Sequence, residues 1–199
     1  ESGTSPEPTE VPAETAEPTT VGEQYTDEGT LIVPTTIYGG LTIKNSTSYD
    51  IDVGALLAEG TGITLPSEGP QVLIVHTHGS EAYTPDAYDR YEETDTDRTE
   101  DKNYNVIRVG DELTEALEAQ GISVLHDREI YDYPSYTGSY SRSGAAVESY
   151  LAQCPDIAVV IDLHRDALGD GEVTYKTVAE LDGVASSQLM MLVGTGESG

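Results

Sequence analysis

Three short apolar runs punctuate an otherwise polar chain: Gln71–His76 with Val72-Leu73-Ile74-Val75 at its centre, Ile122–His126, and Ile157–Leu163. They are rich in Val and Ile and too short for helices. Such runs read as strands buried on both faces of a sheet. Between the first two, Val106, Val109, Gly110, Leu113, Ala116 and Leu117 recur at helical spacing, and Gly121 closes the helix. Thr99 or Asp101 is the expected N-cap. A second helix is expected over Gly144–Ala152, before the third run. Strand, helix, strand, helix, strand predicts an α/β fold class, a mostly parallel sheet flanked by helices. The runs Val173–Val178 and Leu189–Val193 read as further strands.

The polar stretches divide the rest. Ser80–Thr99 is acidic, tyrosine-rich and without periodicity, hence a long loop, and a loop of that length in a compact domain is usually functional or disordered. Tyr131–Ser143, rich in Tyr, Ser and Gly, reads as another loop. Upstream, Leu41-Thr42-Ile43 alternates like a small strand, and Ile51–Ala58 resembles one or two helical turns ending at Gly60. Residues 1–34 hold half of the ten prolines and no Lys or Arg. So little apolar surface and one sign of charge cannot offset ordering entropy, so a disordered, extended spacer is expected. The expected organisation is a spacer over 1–34, a lead-in arm over 35–70 and a folded domain over 71–199.

Charge narrows the partners. With 37 Asp+Glu against 9 Lys+Arg, the formal net charge is −28. Phosphate backbones and anionic membrane surfaces are repelled, so nucleic acid is excluded as a partner. The single cysteine, Cys154, rules out an internal disulfide and a cysteine-based zinc knuckle. Phe and Trp are absent, so the 13 Tyr supply nearly all aromatic bulk. No run approaches the length of a membrane span, and the chain starts with Glu.

The chemistry lies at the strand ends. His78 follows the first run and His164 the third, and functional groups in α/β sheets gather at the carboxyl ends of strands. Two imidazoles at one sheet edge suit a catalytic zinc, with a carboxylate as third protein ligand and water as fourth. Glu81, Glu100, Asp101 and Asp162 are the candidate carboxylates. Asp162 would share a face with His164 and can instead orient an imidazole. Glu100 and Asp101 fall near the expected helix start, where capping is the plainer reading. His76 would share a side with His78 if the strand continued, and His126 reads as a strand-end histidine satisfied by backbone or solvent.

Four separated motifs carry a resemblance: His76-Thr77-His78-Gly79-Ser80-Glu81-Ala82-Tyr83, Asp101-Lys102-Asn103-Tyr104-Asn105-Val106-Ile107-Arg108-Val109-Gly110, Tyr133-Pro134-Ser135-Tyr136 and Asp162-Leu163-His164-Arg165-Asp166. Together they resemble the stage II sporulation protein P family, within the wider class of zinc N-acetylmuramoyl-L-alanine amidases. The resemblance implies a zinc amidase (phosphorylase/hydrolase-like) fold and a peptidoglycan hydrolase acting in septal wall thinning and engulfment during sporulation. It also implies an extracytoplasmic place behind an N-terminal membrane anchor and a partner lytic transglycosylase. It assigns zinc to His78, Asp101 and His164, with Glu100 the alternative because the family usually has Glu where Asp101 stands. The family's general base is a Glu on a strand near the C-terminus, and the expectation is that it lies beyond residue 199, in a part of the domain this chain lacks. Such a truncated chain is expected to be unstable or inactive. Within the chain, Glu81 is the candidate for proton transfer and Arg165 for binding a stem-peptide carboxylate, or for pairing with Asp162 or Asp166. Two other classes stay open: a different zinc peptidase, and a non-catalytic wall-binding module with structural histidines.

Overall fold

The computed structural model describes residues 19–21, 24–25, 31–32, 35–38, 41–45, 47–83, 90–169, 172–175, 178–181 and 183–194. The chain divides into two compact units, Glu1–Gly62 with Met191–Gly199, and Ile63–Met190. In the first, β1 (Thr19–Val21), β4 (Thr35–Tyr38) and β5 (Leu41–Ile43) form an antiparallel sheet, and β2 (Gln24–Tyr25) pairs with β3 (Leu31–Ile32). Three of these short strands fall inside the span whose composition suggests a spacer. The helical turns read at Ile51–Ala58 are α1 (Val53–Glu59), capped by the Asp52 carboxylate and stopped at Gly60.

The second unit carries the chemistry. Its centre is β6 (Val72–Val75), all four residues buried, flanked in parallel by β7 (Val124–His126) and β8 (Val159–Asp162). The order β7-β6-β8 explains the hydrophobic pattern. The middle strand is covered on both faces, while β8, at the edge, alternates half-buried and exposed residues. Helix α2 (Val106–Ala119) joins β6 to β7 and buries Val106, Ile107 and Gly110, while α3 (Ser139–Gln153) joins β7 to β8. The remaining strands are hairpins: β9 (Leu168–Gly169) with β10 (Thr174–Tyr175), and β11 (Val178–Leu181) with β12 (Val184–Ser187). The result is an α/β fold with a three-stranded parallel sheet. No described helix is long and apolar enough to cross a membrane.

The local expectations need four corrections. The N-cap of α2 is neither Thr99 nor Asp101 but Asn105, whose side chain accepts from the Ile107 amide. Helix α3 starts at Ser139, within the expected loop, because its small residues Ser139 and Ser143 form a buried face that composition alone hides. The expected strand at Val173–Val178 is divided between β10 and β11, with 176–177 outside the described residues. Leu189–Val193 forms no strand, and its side chains are almost fully exposed.

Candidate functional site

The segment following β6 is buried from His76 to Ala82. Its first clamp is Asp162, at the end of β8. The Thr77 amide donates to Asp162 Oδ1 at 2.8 Å, and the Thr77 hydroxyl donates to Oδ2 at 2.7 Å. That hydroxyl has spent its hydrogen, so the Ser143 hydroxyl, 2.6 Å away, is the donor to it, tying α3 to the same point. A second clamp is Asp132, whose side chain is fully buried. It accepts from the Ser80 amide at 3.0 Å and the Ser80 hydroxyl at 2.7 Å, and pairs with Arg98 at 2.5 Å.

These clamps bring His78 and His164 together. Their ring centroids are 5.3 Å apart, at an interplanar angle of 66°. His164 Nε2 lies 3.0 Å from Asp162 Oδ2, which fixes Nε2 as a donor and turns Nδ1 toward Glu81 Oε2, 3.6 Å away. Hydrogen bonding to Asp162, then to Glu81, raises the His164 pKa to about 10 against the opposing effect of burial. A proton on Nδ1 thus does what any cation there would do, separating two electron-rich groups. Glu81 is buried. Burial alone would raise its pKa, but His164, the Arg165 amide at 2.9 Å and nearby positive charge together hold it below the usual carboxylate value. Burial lowers the His78 pKa, and its Nδ1 is buried without a hydrogen-bond partner, the Asp132 carboxylate standing off at 3.7 Å. An orphaned imidazole nitrogen is costly to bury.

Two imidazoles, an anionic carboxylate and an orphaned ring nitrogen fit a hydrolytic zinc in kind. Among the described residues, no three His, Cys, Asp or Glu side chains are arranged to hold an ion as they stand. Of the sequence candidates, the structure brings together His78, His164, Glu81 and, through Asp162, the strand that carries His164. Asp101 is not among them. It lies exposed, four residues before the cap of α2, so the helix dipole does not reach it, and its Oδ1 accepts from the Asn103 amide at 3.0 Å and the Asn103 side chain at 2.8 Å. Glu100 is also exposed and lines a shallow cavity with Lys102, Glu129, Ile130, Tyr133 and Pro134. Arg165 pairs with neither Asp162 nor Asp166 among the described residues. Its Nη2 reaches the Asp97 carbonyl at 3.5 Å, and its buried Nε has no partner.

His76 and His126 make a separate pair. His76 Nδ1 donates to the Leu163 carbonyl at 2.9 Å, and its Nε2 lies 2.8 Å from His126 Nε2. His126 Nδ1 lies 3.2 Å from Asp111 Oδ1. Two neutral imidazoles carry two N–H hydrogens for these three contacts, so a neutral His126 donates either to His76 or to Asp111, and all three are made together only when it holds an extra proton. Burial lowers both pKa values, that of His76 to about 4.

Sequence reasoning missed Asp132, Arg98, Tyr136 and Tyr140. Asp132 and Arg98 are 34 residues apart on two aperiodic loops, with no local pattern to connect them. Tyr136 was visible only as part of a resembling motif.

Taken together, an α/β protein with a three-stranded parallel sheet brings two histidines and a buried glutamate to one end of that sheet. A family model described as "Stage II sporulation protein P (SpoIIP)" matches residues 7–198. The chain belongs to that family, and is thus a sporulation protein. It is 31% identical over 129 residues to "Stage II sporulation protein P" of Bacillus subtilis (strain 168), a match covering 62% of this chain and 30% of the relative's length. No solved structure matches the chain.

Proposed function

We propose that this domain is a zinc-dependent N-acetylmuramoyl-L-alanine amidase that cuts peptidoglycan between N-acetylmuramic acid and the stem-peptide L-alanine. Its setting is septal wall thinning and engulfment, outside the cytoplasm, on a protein tethered by an N-terminal anchor and working beside a lytic transglycosylase. The observation that carries the reading is the meeting of His78 and His164, with Glu81 Oε2 3.6 Å from His164 Nδ1, in a chain of this family.

His78 and His164 hold the ion, and Glu81 replaces Asp101 as third protein ligand, since Glu81 shares their site while Asp101 braces a surface turn. When bound, zinc supplies Lewis acidity to the scissile carbonyl and acidifies the attacking water. Asp162 orients His164 by accepting from Nε2, which commits the other nitrogen to the site. Asp132 and Arg98 hold the loop that carries His78. Arg165, with its unpaired Nε, takes a carboxylate of the stem peptide. The proton acceptor is assigned to the glutamate that the family pattern places after residue 199.

The test is digestion of purified peptidoglycan by the full-length protein, with the appearance of new N-terminal alanine as the readout. Alanine release that disappears on chelation and returns with zinc supports the reading. New amino termini of other residues would assign a peptidase instead. Unchanged wall binding by a His78→Ala, His164→Ala double variant, with no stoichiometric zinc in the parent, would assign a wall-binding module.

A further inference from the structure

The loop before α3 and the first turn of α3 set two tyrosines, Tyr136 and Tyr140, against the histidine pair. Tyr136 stacks on His78 with ring centroids 4.6 Å apart and an interplanar angle of 5°. Tyr140 meets His78 edge-on at 5.2 Å and lies 6.5 Å from His164. Both remain largely in solvent, Tyr136 at 59% exposure and Tyr140 at 65%. The Arg98 guanidinium also approaches Tyr136, 5.2 Å from the ring centre. Arg98 and His78 both approach Asp132 Oδ2, at 2.5 and 3.7 Å, too close to each other to flank opposite faces of the ring. Tyr136 nevertheless keeps most of its surface in solvent.

The loop is braced to hold this arrangement. Gly138, with φ 84°, turns the chain between the two rings, a backbone conformation that L side chains rarely adopt. The Arg142 side chain donates to the carbonyls of Tyr131, Ser135 and Thr137. A braced aromatic face left in water beside a reactive centre is a recognition surface. Its electron-rich face attracts weakly positive C–H groups, and a chain of net charge −28 disfavours an anion on that face. One side of a pyranose ring offers such a row of C–H groups.

We propose that Tyr136 and Tyr140 form a saccharide platform that stacks a neutral, N-acetylated amino-sugar ring beside His78 and His164. This rests on the amidase reading, which places a sugar on one side of the bond to be cut and a peptide on the other. The platform sets which side is the sugar's. Glycan binding then depends on the ring faces and not on the phenolic hydroxyls.

The test uses the full chain and a neutral disaccharide of two N-acetylglucosamine rings, with a sugar-free stem peptide as the comparison. Binding is followed by NMR titration, with thermal unfolding as the folding control. Tyr136→Ala and Tyr140→Ala should each weaken disaccharide binding about tenfold, with peptide binding unchanged. Tyr136→Phe and Tyr140→Phe should stay within about twofold of the parent. Alanine variants that bind the disaccharide like the parent, phenylalanine variants as weak as the alanine ones, or a parent that binds only the peptide would each overturn the platform. The readout needs no turnover. Tyrosine-dependent glycan binding without new N-terminal alanine keeps the platform and removes the amidase, while new N-terminal alanine with a KM no higher than the parent's in both alanine variants does the reverse.

Discussion

The four histidines form two pairs at the same end of one small sheet, and His76 in one pair and His164 in the other behave as opposites. His76 and His126 are sealed beneath α2, where the backbone at Gly110 lies against both rings. His78 and His164 sit among carboxylates, with His164 partly open to solvent. Burial dominates the first pair and drives His76 to about 4, whereas Asp162 and Glu81 dominate at His164 and raise it to about 10. The same side chain thus serves as a neutral structural strut in one place and as a cation-seeking group in the other. What separates His76 from His164 is whether burial or two carboxylate partners dominate at the ring.

The largest effect that would break this contrast is at His164. His164→Ala should cut alanine release from peptidoglycan by more than about 100-fold, beyond what loss of a supporting hydrogen-bond partner usually costs, while the unfolding midpoint barely moves. Asp162→Asn should cost about 10- to 100-fold, because it weakens the hold on His164 and on Thr77 without removing a ligand. Gly110→Ala strikes the sealed pair instead. The added Cβ would lie 2.5 Å from His126 Nε2 and 2.7 Å from His76 Nε2. It should lower stability by about 1–3 kcal/mol in denaturant titration, with turnover per folded molecule retained.

Titration of the metal-free chain sharpens the contrast without any substitution. The folded His76 value lies below that of the unfolded chain, so its contribution to stability is present above about 6.5 and is lost as pH falls toward 4. The folded His164 value lies above it, so its contribution is full below about 6.5 and is lost as pH rises through 10. Imidazole NMR should find His76 neutral at pH 5 and His164 protonated at pH 8, and zinc should displace the His164 proton. A His164 signal titrating near 6.5 in the metal-free chain would erase the distinction. The smallest effect is expected at Asp101→Ala, within about 0.5 kcal/mol in stability and about twofold in alanine release.

The sheet was legible because its central strand is buried on both faces, which leaves the uninterrupted run Val72-Leu73-Ile74-Val75 in the sequence. Helix α2 was legible from its apolar period. The start of α3 was not, because Ser139 and Ser143 are buried through hydrogen bonding and small size, and a buried serine looks like a loop serine in sequence. His78 and His164 announced themselves by following strands. Asp132 and the Tyr136–Tyr140 wall did not, since their roles arise from segments that meet only in the folded chain. The emphasis on Asp101 came from the resemblance, since its place before the helix suggested capping, a role that Asn105 fills.

Asp162 grips Thr77 and His164 with one carboxylate, and it stands beside Val75 in the pairing of β8 with β6. A slip of one residue between those strands would turn every side chain of β8 to the other face. The grip on the loop and the aim of the imidazole would vanish in the same step. Misregistered molecules would therefore be silent rather than feeble, and specific turnover in a preparation would count the correctly threaded fraction.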